Sequence, residues 1–332
     1  MKTQDSGAER IILGRTGLSA GRDGFGALPL QRTAMKDAVR ILNKALEGGI
    51  NFFDTARAYT DSELKIGRAL SKRRGEFILA SKTMAVDAEG FWKDLETSLT
   101  LLKTDHIDIY QFHNPPVCVK PGDGSGLYEA AFKAREQGKI RFIGFTNHRV
   151  PLASQAVESG LYDTLQFPFS YLSGKAEFDL MELCGKKNIG FIAMKALSGG
   201  LITGISTARA WFGSLGAAES PGSGGESGGA LPIWGIQRED ELDELLAARA
   251  SQSGGLSAED RARIAADRVE LAGEFCRGCG YCLPCPAGIA LNFCARMPQL
   301  IRRMPTELYT TEHWIDAMAR IPGCTQCGSC VS

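Results

Sequence analysis

From about residue 20 to residue 200 the chain alternates between short apolar runs and longer amphipathic stretches. GFGAL near 24–28, INFFDTA at 50–56, FILASK at 77–82 and HIDIYQFH at 106–113 come first. RFIGFTN at 141–147, TLQFPFS at 164–170 and GFIAMKAL at 190–197 follow. Most are rich in Phe and Ile and bounded by Gly, Asp or Lys, so they read as strands. Between them, DAVRILNKALEGG at 37–49 places Val39, Leu42 and Leu46 on one face and ends in Gly48 and Gly49. That is a helix with its C-cap. SELKIGRAL, FWKDLETSLTLLK, LYEAAFKAREQG and EFDLMELCGKKN have the same period.

Repeated strand–helix units imply a parallel sheet. Seven such units, with ALPIWGI at 230–236 and REDELDELLAAR at 238–249 as an eighth, predict a TIM (β/α)8 barrel. The alternative is an open doubly wound sheet, which usually opens with a glycine-rich phosphate loop after its first strand. GFGAL is not followed by such a loop. Residues 213–229, GSLGAAESPGSGGESGG, break the rhythm where a helix between strands seven and eight is expected. They read as an exposed Gly/Ser insertion, with a substrate lid as the alternative.

The chain has 332 residues, 44% of them hydrophobic and 23% charged, enough for a barrel and a small appendage. Lys plus Arg equals Asp plus Glu, which argues against bulk nucleic-acid or anionic-membrane binding. No stretch approaches the roughly 20 apolar residues of a membrane span, and MKTQDSGAERIILG lacks the apolar centre of a signal peptide. A cytoplasmic protein is expected, with reduced thiols. After about residue 257, SAEDRARIAADRVELAGEF reads as a helix with Ser257 as N-cap and Asp260 three residues on. The boundaries expected are a barrel over 1–255 and a mainly helical, cysteine-rich segment over 256–332.

In a TIM barrel the chemistry sits at the carboxyl ends of the strands. Strand two ends in Asp54 with Tyr59 shortly after, strand three in Lys82 and strand four in His113. A Tyr hydroxyl can protonate a developing alkoxide, and a Lys cation nearby favours its phenolate. An Asp holds that Lys charged, and a His orients a carbonyl. The set suits carbonyl reduction by hydride from a nicotinamide, or the reverse alcohol oxidation.

NFFDTARAY at 51–59 followed by DSELKIGRAL resembles the signature of the aldo-keto reductases, including the step from Asp54 to Tyr59. ILASK with Lys82, DIYQFH with His113, GFTNH at 144–148, Gln166, LSGGL at 197–201 and the opening LGRTGL at 13–18 are similar too. The resemblance covers about residues 10–250. It implies Asp54, Tyr59, Lys82 and His113 as a catalytic tetrad acting on a small carbonyl or alcohol. It further implies Thr146, Asn147 and Gln166 as holders of the nicotinamide carboxamide, and Leu197 and Gly199 of LSGGL as cofactor contacts. Two departures stand out. Met194, with Lys195 next to it, occupies the place of a Tyr that stacks on the nicotinamide in the family. Gln237 and Leu245 stand where an Arg and an Asn grip the adenosine phosphate. Arg238 is adjacent and suits a 2′-phosphate, with Glu241 in the same turn, or else both belong to a solvated helix start. NADP(H) and NAD(H) therefore both remain open as cofactors.

Eight of the ten cysteines lie after residue 275. CRGCGYCLPCP supplies Cys276, Cys279, Cys282 and Cys285, and CTQCGSC supplies Cys324, Cys327 and Cys330. Two-residue spacers followed by Pro286 are typical of ferredoxin runs, and the segment resembles the ferredoxin-like extension of some aldo-keto reductases. By the ferredoxin rule Cys324, Cys327, Cys330 and Cys285 form one [4Fe–4S] set. Cys276, Cys279 and Cys282 need a fourth ligand. It is either a cysteine past Ser332, where a final Cys-Pro is expected of a truncated chain, or Cys294, or it is missing. The rival metal is zinc, which usually takes two separated pairs. Cys118 and Cys184 read as ordinary buried thiols. A cluster that passes electrons implies a redox partner protein. The second functional reading is an electron-transfer or regulatory protein that keeps the barrel for binding alone.

Overall fold

The computed structural model describes residues 10–215, 229–250, 255–271, 276, 282–303, 306–328 and 330. A two-stranded antiparallel hairpin, β1 (Arg10–Ile12) and β2 (Ser19–Gly21), opens the chain. Eight strands then close a parallel barrel: β3 (Gly24–Gly26), β4 (Phe52–Asp54), β5 (Ile78–Thr83) and β6 (Ile107–His113), followed by β7 (Ile140–Thr146), β8 (Thr164–Pro168), β9 (Gly190–Met194) and β10 (Leu231–Gly235). The strand order is sequential, and β10 pairs with β3 to close the ring. This is the (β/α)8 architecture that the alternation predicts, and it removes both sheet edges.

The helices surrounding the barrel are α1 (Met35–Glu47), α2 (Ser62–Leu70), α3 (Ala88–Leu102), α4 (Leu127–Glu136), α5 (Val150–Ser159), α6 (Lys175–Lys186), α7 (Ile205–Leu215) and α8 (Glu239–Ala250). The strand period of two divides the side chains between two cores. Phe52, Ile78, Ala80, Ile109, Ile192, Leu231 and Ile233 fill the barrel interior together with Ile11, Leu13, Leu18 and Ala20 of the hairpin, which plugs its amino end. Phe25, Phe53, Leu79, Tyr110, Phe145, Leu165 and Phe191 point outward into the layer beneath the helices.

α5 and α7 are helices that the hydrophobic pattern does not pick out. Part of the stretch expected as a Gly/Ser loop, Gly213–Leu215, is instead the last turn of α7. Burial of Ala208, Trp211 and Phe212 against the barrel holds that turn helical despite weak local propensity. Residues 216–228 of that stretch lie outside the described residues.

After the barrel come α9 (Ala258–Leu271), α10 (Leu291–Cys294), α11 (Met297–Arg303) and α12 (Glu312–Ala319). Ser257 and Asp260 bond reciprocally at the start of α9, with Ser257 N–H donating to Asp260 Oδ2 at 3.1 Å and Asp260 N–H to Ser257 Oγ at 3.0 Å. α9 reaches back to the barrel: Arg268 Nε donates to the Tyr171 carbonyl at 2.8 Å, and the Tyr171 hydroxyl donates to Asp267. No helix among the described residues is long and apolar enough to cross a membrane.

Candidate active site

Asp54 ends β4 and Lys82 lies near the end of β5, one strand over, both on inward-facing positions. Lys82 Nζ donates to Asp54 Oδ1 at 2.6 Å and Oδ2 at 2.7 Å, and to the Thr55 carbonyl at 2.8 Å. Both side chains are buried. Burial pushes the Asp54 carboxyl up and the Lys82 ammonium down, and in each case the partner's charge opposes the shift. The bidentate contact fits a charged pair.

The next two strands complete the floor. Gln111 on β6 sits level with Lys82 and with Gly144, and Thr146 on β7 sits level with Gln166 on β8. Gln111 Nε2 donates to Gln166 Oε1 at 2.8 Å, and Thr146 Oγ1 donates to Gln111 Oε1 at 2.9 Å. Longer contacts run from Gln111 and Gln166 to Asp54, at 3.4 and 3.3 Å. A Cβ on Gly144 would stand 2.7 Å from Gln111 Cγ, so glycine there makes room for the carboxamide. Gln111 was not among the residues singled out from sequence. The available signal was a Gln two residues from each of Ile109 and His113, hence on the inward face.

Tyr59 follows β4 in a tight turn in which its carbonyl accepts from Ser62 N–H at 2.8 Å. The half-buried ring lies edge-on to His113, 5.7 Å between centroids, and Lys82 Nζ is 5.2 Å from its centre. The tetrad residues therefore meet at one mouth. The electrostatics differ from the expectation, because the Tyr59 hydroxyl is raised, by burial first and by the Asp54 charge second. Lys82 spends its charge on Asp54, so no net cation is left to stabilise a phenolate. Burial, with Lys82 and His148 adding to it, lowers His113 to about 3, so the imidazole is neutral near pH 7. Its Nδ1 is buried with no hydrogen-bond partner. His148, after β7, is likewise lowered to about 3, by burial and then Lys195.

The residues expected around a cofactor divide into groups. Thr146 and Gln166 belong to the floor network. Asn147 spends its carboxamide on its own loop: Oδ1 accepts from the N–H groups of His148 and Arg149 at 3.0 and 2.9 Å, and Nδ2 donates to the Pro115 carbonyl at 3.1 Å. Met194 ends β9 and packs on the barrel interior. Leu197 and Gly199 form the turn beyond it, where Gly200 N–H donates to the Leu197 carbonyl at 2.9 Å.

On the far side, Gln237 and Arg238 line a cleft of about 410 Å³ with Arg32, Thr33, Asp37 and Arg40. Arg238 is exposed and pairs with Asp240 at 3.0 Å and Glu241 at 2.9 Å. Glu241 is a cap of α8, since its Oε2 accepts from the N–H of Gln237 at 2.9 Å and of Arg238 at 3.1 Å. Leu245 is fully buried in the helix–barrel core.

The cysteines of the tail differ in burial. Cys276, Cys282 and Cys285 are half-buried, whereas Cys324, Cys327 and Cys330 are exposed. Cys294 is buried with its Sγ 3.7 Å from the Ala317 carbonyl. Cys279 lies outside the described residues. Among the described residues no three His, Cys, Asp or Glu side chains converge as a metal site. Cys118 and Cys184 are buried, and burial pushes Cys184 up to about 12.

Comparison with known proteins agrees with this geometry. The chain is 31% identical over 214 residues to L-galactose dehydrogenase of Arabidopsis thaliana, covering 59% of this chain and 67% of that protein. It is 29% identical over 228 residues to the aldo-keto reductase YhdN of Bacillus subtilis, covering 61% and 66%. The match thus spans about two thirds of the length of these curated relatives, which are named as a dehydrogenase and a reductase. The solved structure of the aldo-keto reductase AKR11C1 from Bacillus halodurans, in its holo form, superposes with a TM-score of 0.63 at 21% identity, over 78% of this chain and 96% of that one. At that identity the likeness is one of fold. The family model described as Aldo/keto reductase family matches residues 10–254. With a barrel of this topology and a match over most of its length, the chain belongs to the aldo/keto reductase family.

Proposed function

We propose that this protein is an NAD(P)H-dependent oxidoreductase that reduces a small carbonyl compound, or oxidises the corresponding alcohol, with Tyr59 as the proton donor. The carrying observation is the placement of a half-buried phenol edge-on to a neutral imidazole, above a buried Lys82–Asp54 pair. The residues fit a nicotinamide and a carbonyl. The buried, unpartnered His113 Nδ1 marks a polar face still to be satisfied, and the Thr146, Gln111 and Gln166 floor offers amide-type donors and acceptors.

A bound reduced nicotinamide supplies the hydride. Neutral His113 orients the substrate oxygen by a hydrogen bond, which a protonated and desolvated imidazolium would do at higher cost. Tyr59 then gives its proton to that oxygen as negative charge develops on it. The raised pKa keeps the Tyr59 hydroxyl protonated near pH 7, so the proton to be given is in place. Lys82, clamped by Asp54 beneath the ring, offsets the carboxylate's charge, which alone would hold the phenol proton still more tightly. Thr146, Asn147 and Gln166, with Met194, Leu197 and Gly199, are the residues we assign to the nicotinamide end. Gln237 and Arg238 are assigned to the adenosine end. The cleft holding Arg32, Arg40 and Arg238 supports NADP(H) over NAD(H). Because Glu241 caps α8, it serves that end through the backbone of Gln237 and Arg238.

We read the barrel as spanning 1–255 and the cysteine-bearing segment as 256–332. The Cys-x-x-Cys spacing supports an iron–sulfur site there; among the described residues, which leave out Cys279, no three ligand side chains converge. The test is anaerobic purification with iron, sulfide and zinc analysis, alongside NADPH and NADH turnover with a panel of aldehydes, ketones and keto acids. Carbonyl-dependent nucleotide oxidation supports the reading. Nucleotide binding with no carbonyl reduced across the panel overturns it.

A further inference from the structure

The turn that leaves β9 is conformationally unusual. Lys195, Ser198, Gly199 and Gly200 all have positive φ, at 57°, 50°, 69° and 93°. Two of the four are not glycine, and such residues keep that conformation only where their surroundings hold it. Inside the turn, Ser198 N–H donates to the Lys195 carbonyl at 2.7 Å and Ile202 N–H to the Leu197 carbonyl at 3.2 Å. From the barrel side, the hydroxyls of Ser170 and Ser198 meet at 2.8 Å.

The remaining hold comes from the segment after the barrel. Arg296, between α10 and α11, donates from Nη2 to the Gly199 carbonyl at 2.8 Å. The guanidinium also covers Gly199: a Cβ there would lie 3.2 Å from Nη2 and 3.7 Å from Cζ. Arg296 is 8% exposed, with Met297 and Leu300 buried beside it, and its Nε is buried with no hydrogen-bond partner. A second strut runs from Arg263 of α9, whose Nη2 donates to Thr203 Oγ1 at 2.8 Å. A buried arginine is desolvated at considerable cost. A planar group lying over a glycine and bonded to its carbonyl repays that cost where the carbonyl must be held in place.

We infer that Arg296 is a positioning residue for the cofactor: it fixes the Lys195–Leu201 turn from outside the barrel, so that NAD(P)H affinity depends on the cysteine-bearing segment being docked. The inference rests on the reading of the barrel mouth as a nicotinamide site. Arg296 touches neither the tetrad nor the floor, so its loss changes binding and leaves the proton transfer intact.

The experiment is calorimetric titration of the full-length chain with NADPH and with NADH, for the wild type, Arg296→Met and Arg296→Lys. Steady-state turnover and metal content are measured on the same samples. Arg296→Met is expected to raise Kd and the nucleotide KM by roughly tenfold, the effect of losing one charged hydrogen bond, with kcat little changed. Arg296→Lys is expected to fall between the two. A folded Arg296→Met protein that binds both nucleotides as the wild type does overturns the inference. If Arg296→Met does not fold, hydrogen exchange on Arg296→Lys decides. Faster exchange at residues 197–202 with unchanged exchange in β4–β6 supports the role, and unchanged exchange at 197–202 overturns it. Failure of the wild type to bind either nucleotide removes the underlying site and the inference together. Normal wild-type binding with no loss in the Arg296 variants removes the link alone.

Discussion

Lys82 donates to both carboxylate oxygens of Asp54, at 2.6 and 2.7 Å, across adjacent strands in the buried floor of the barrel mouth. The pair exchanges strong desolvation for a strong mutual attraction, and neither residue is tolerable there alone. Its position beneath Tyr59 means that the same two residues affect stability and chemistry.

Removing one member of the pair should therefore be worse for stability than removing both. Lys82→Met leaves the Asp54 charge buried and unmatched, at a cost of about 3–5 kcal/mol. The Asp54→Asn/Lys82→Met double variant should recover part of that loss. Urea denaturation of the two proteins checks it, and a double variant less stable than the single would contradict the pairing argument.

Tyr59→Phe removes the proposed proton donor and little packing volume. Carbonyl reduction should fall by about 10²–10⁴-fold, while nucleotide binding stays near the wild-type level. Retention of turnover would move the proton transfer to His113 or to water.

The histidines set an acid limit. His113 and His148 bind a proton in the folded state only near pH 3, whereas an unfolded imidazole does so near pH 6.5. Between those values the unfolded chain binds more protons, so stability is complete above about pH 6.5 and is lost as pH falls toward 3. Melting temperature measured from pH 7 down to pH 4 should drop less steeply for His113→Asn than for the wild type. Parallel curves would mean that His113 is not buried in its neutral form.

Cofactor preference should lie in the cleft beside α8. Arg32 is exposed on that cleft, whereas Arg238 and Arg40 are already paired with acidic neighbours. Arg32→Gln is expected to weaken NADPH several-fold, by roughly 1 kcal/mol, and to leave NADH unaffected. Equal loss for both nucleotides would place the phosphate contact elsewhere.

Much of this protein is written locally. The alternation of Phe- and Ile-rich runs with amphipathic stretches marks all eight barrel strands, because period two and period 3.6 are properties of consecutive residues. Asp54, Lys82 and His113 could be placed at a common mouth for the same reason, since each lies at or near the end of such a run. α7 escaped that reading: its hold is the burial of Trp211 and Phe212 against distant strands, and its last residues have the composition of a linker.

The tertiary structure decided the electrostatics and the connections. The tyrosine's pKa rises where proximity to a lysine suggested it would fall, because burial desolvates the hydroxyl and Asp54, placed by strand register, adds a negative charge beside it. Gln111 and Asp54 are 57 residues apart in sequence, and Arg296 and Gly199 are 97 apart. Contacts of that range are fixed by closure of the ring and by docking of the following helices, and no periodicity in the chain encodes them. The sequence by itself determined the strands, the family and the residues at the mouth. How those residues share charge, and what braces the turn beside them, was determined by packing, because desolvation and pairing exist only once the chain has closed around them.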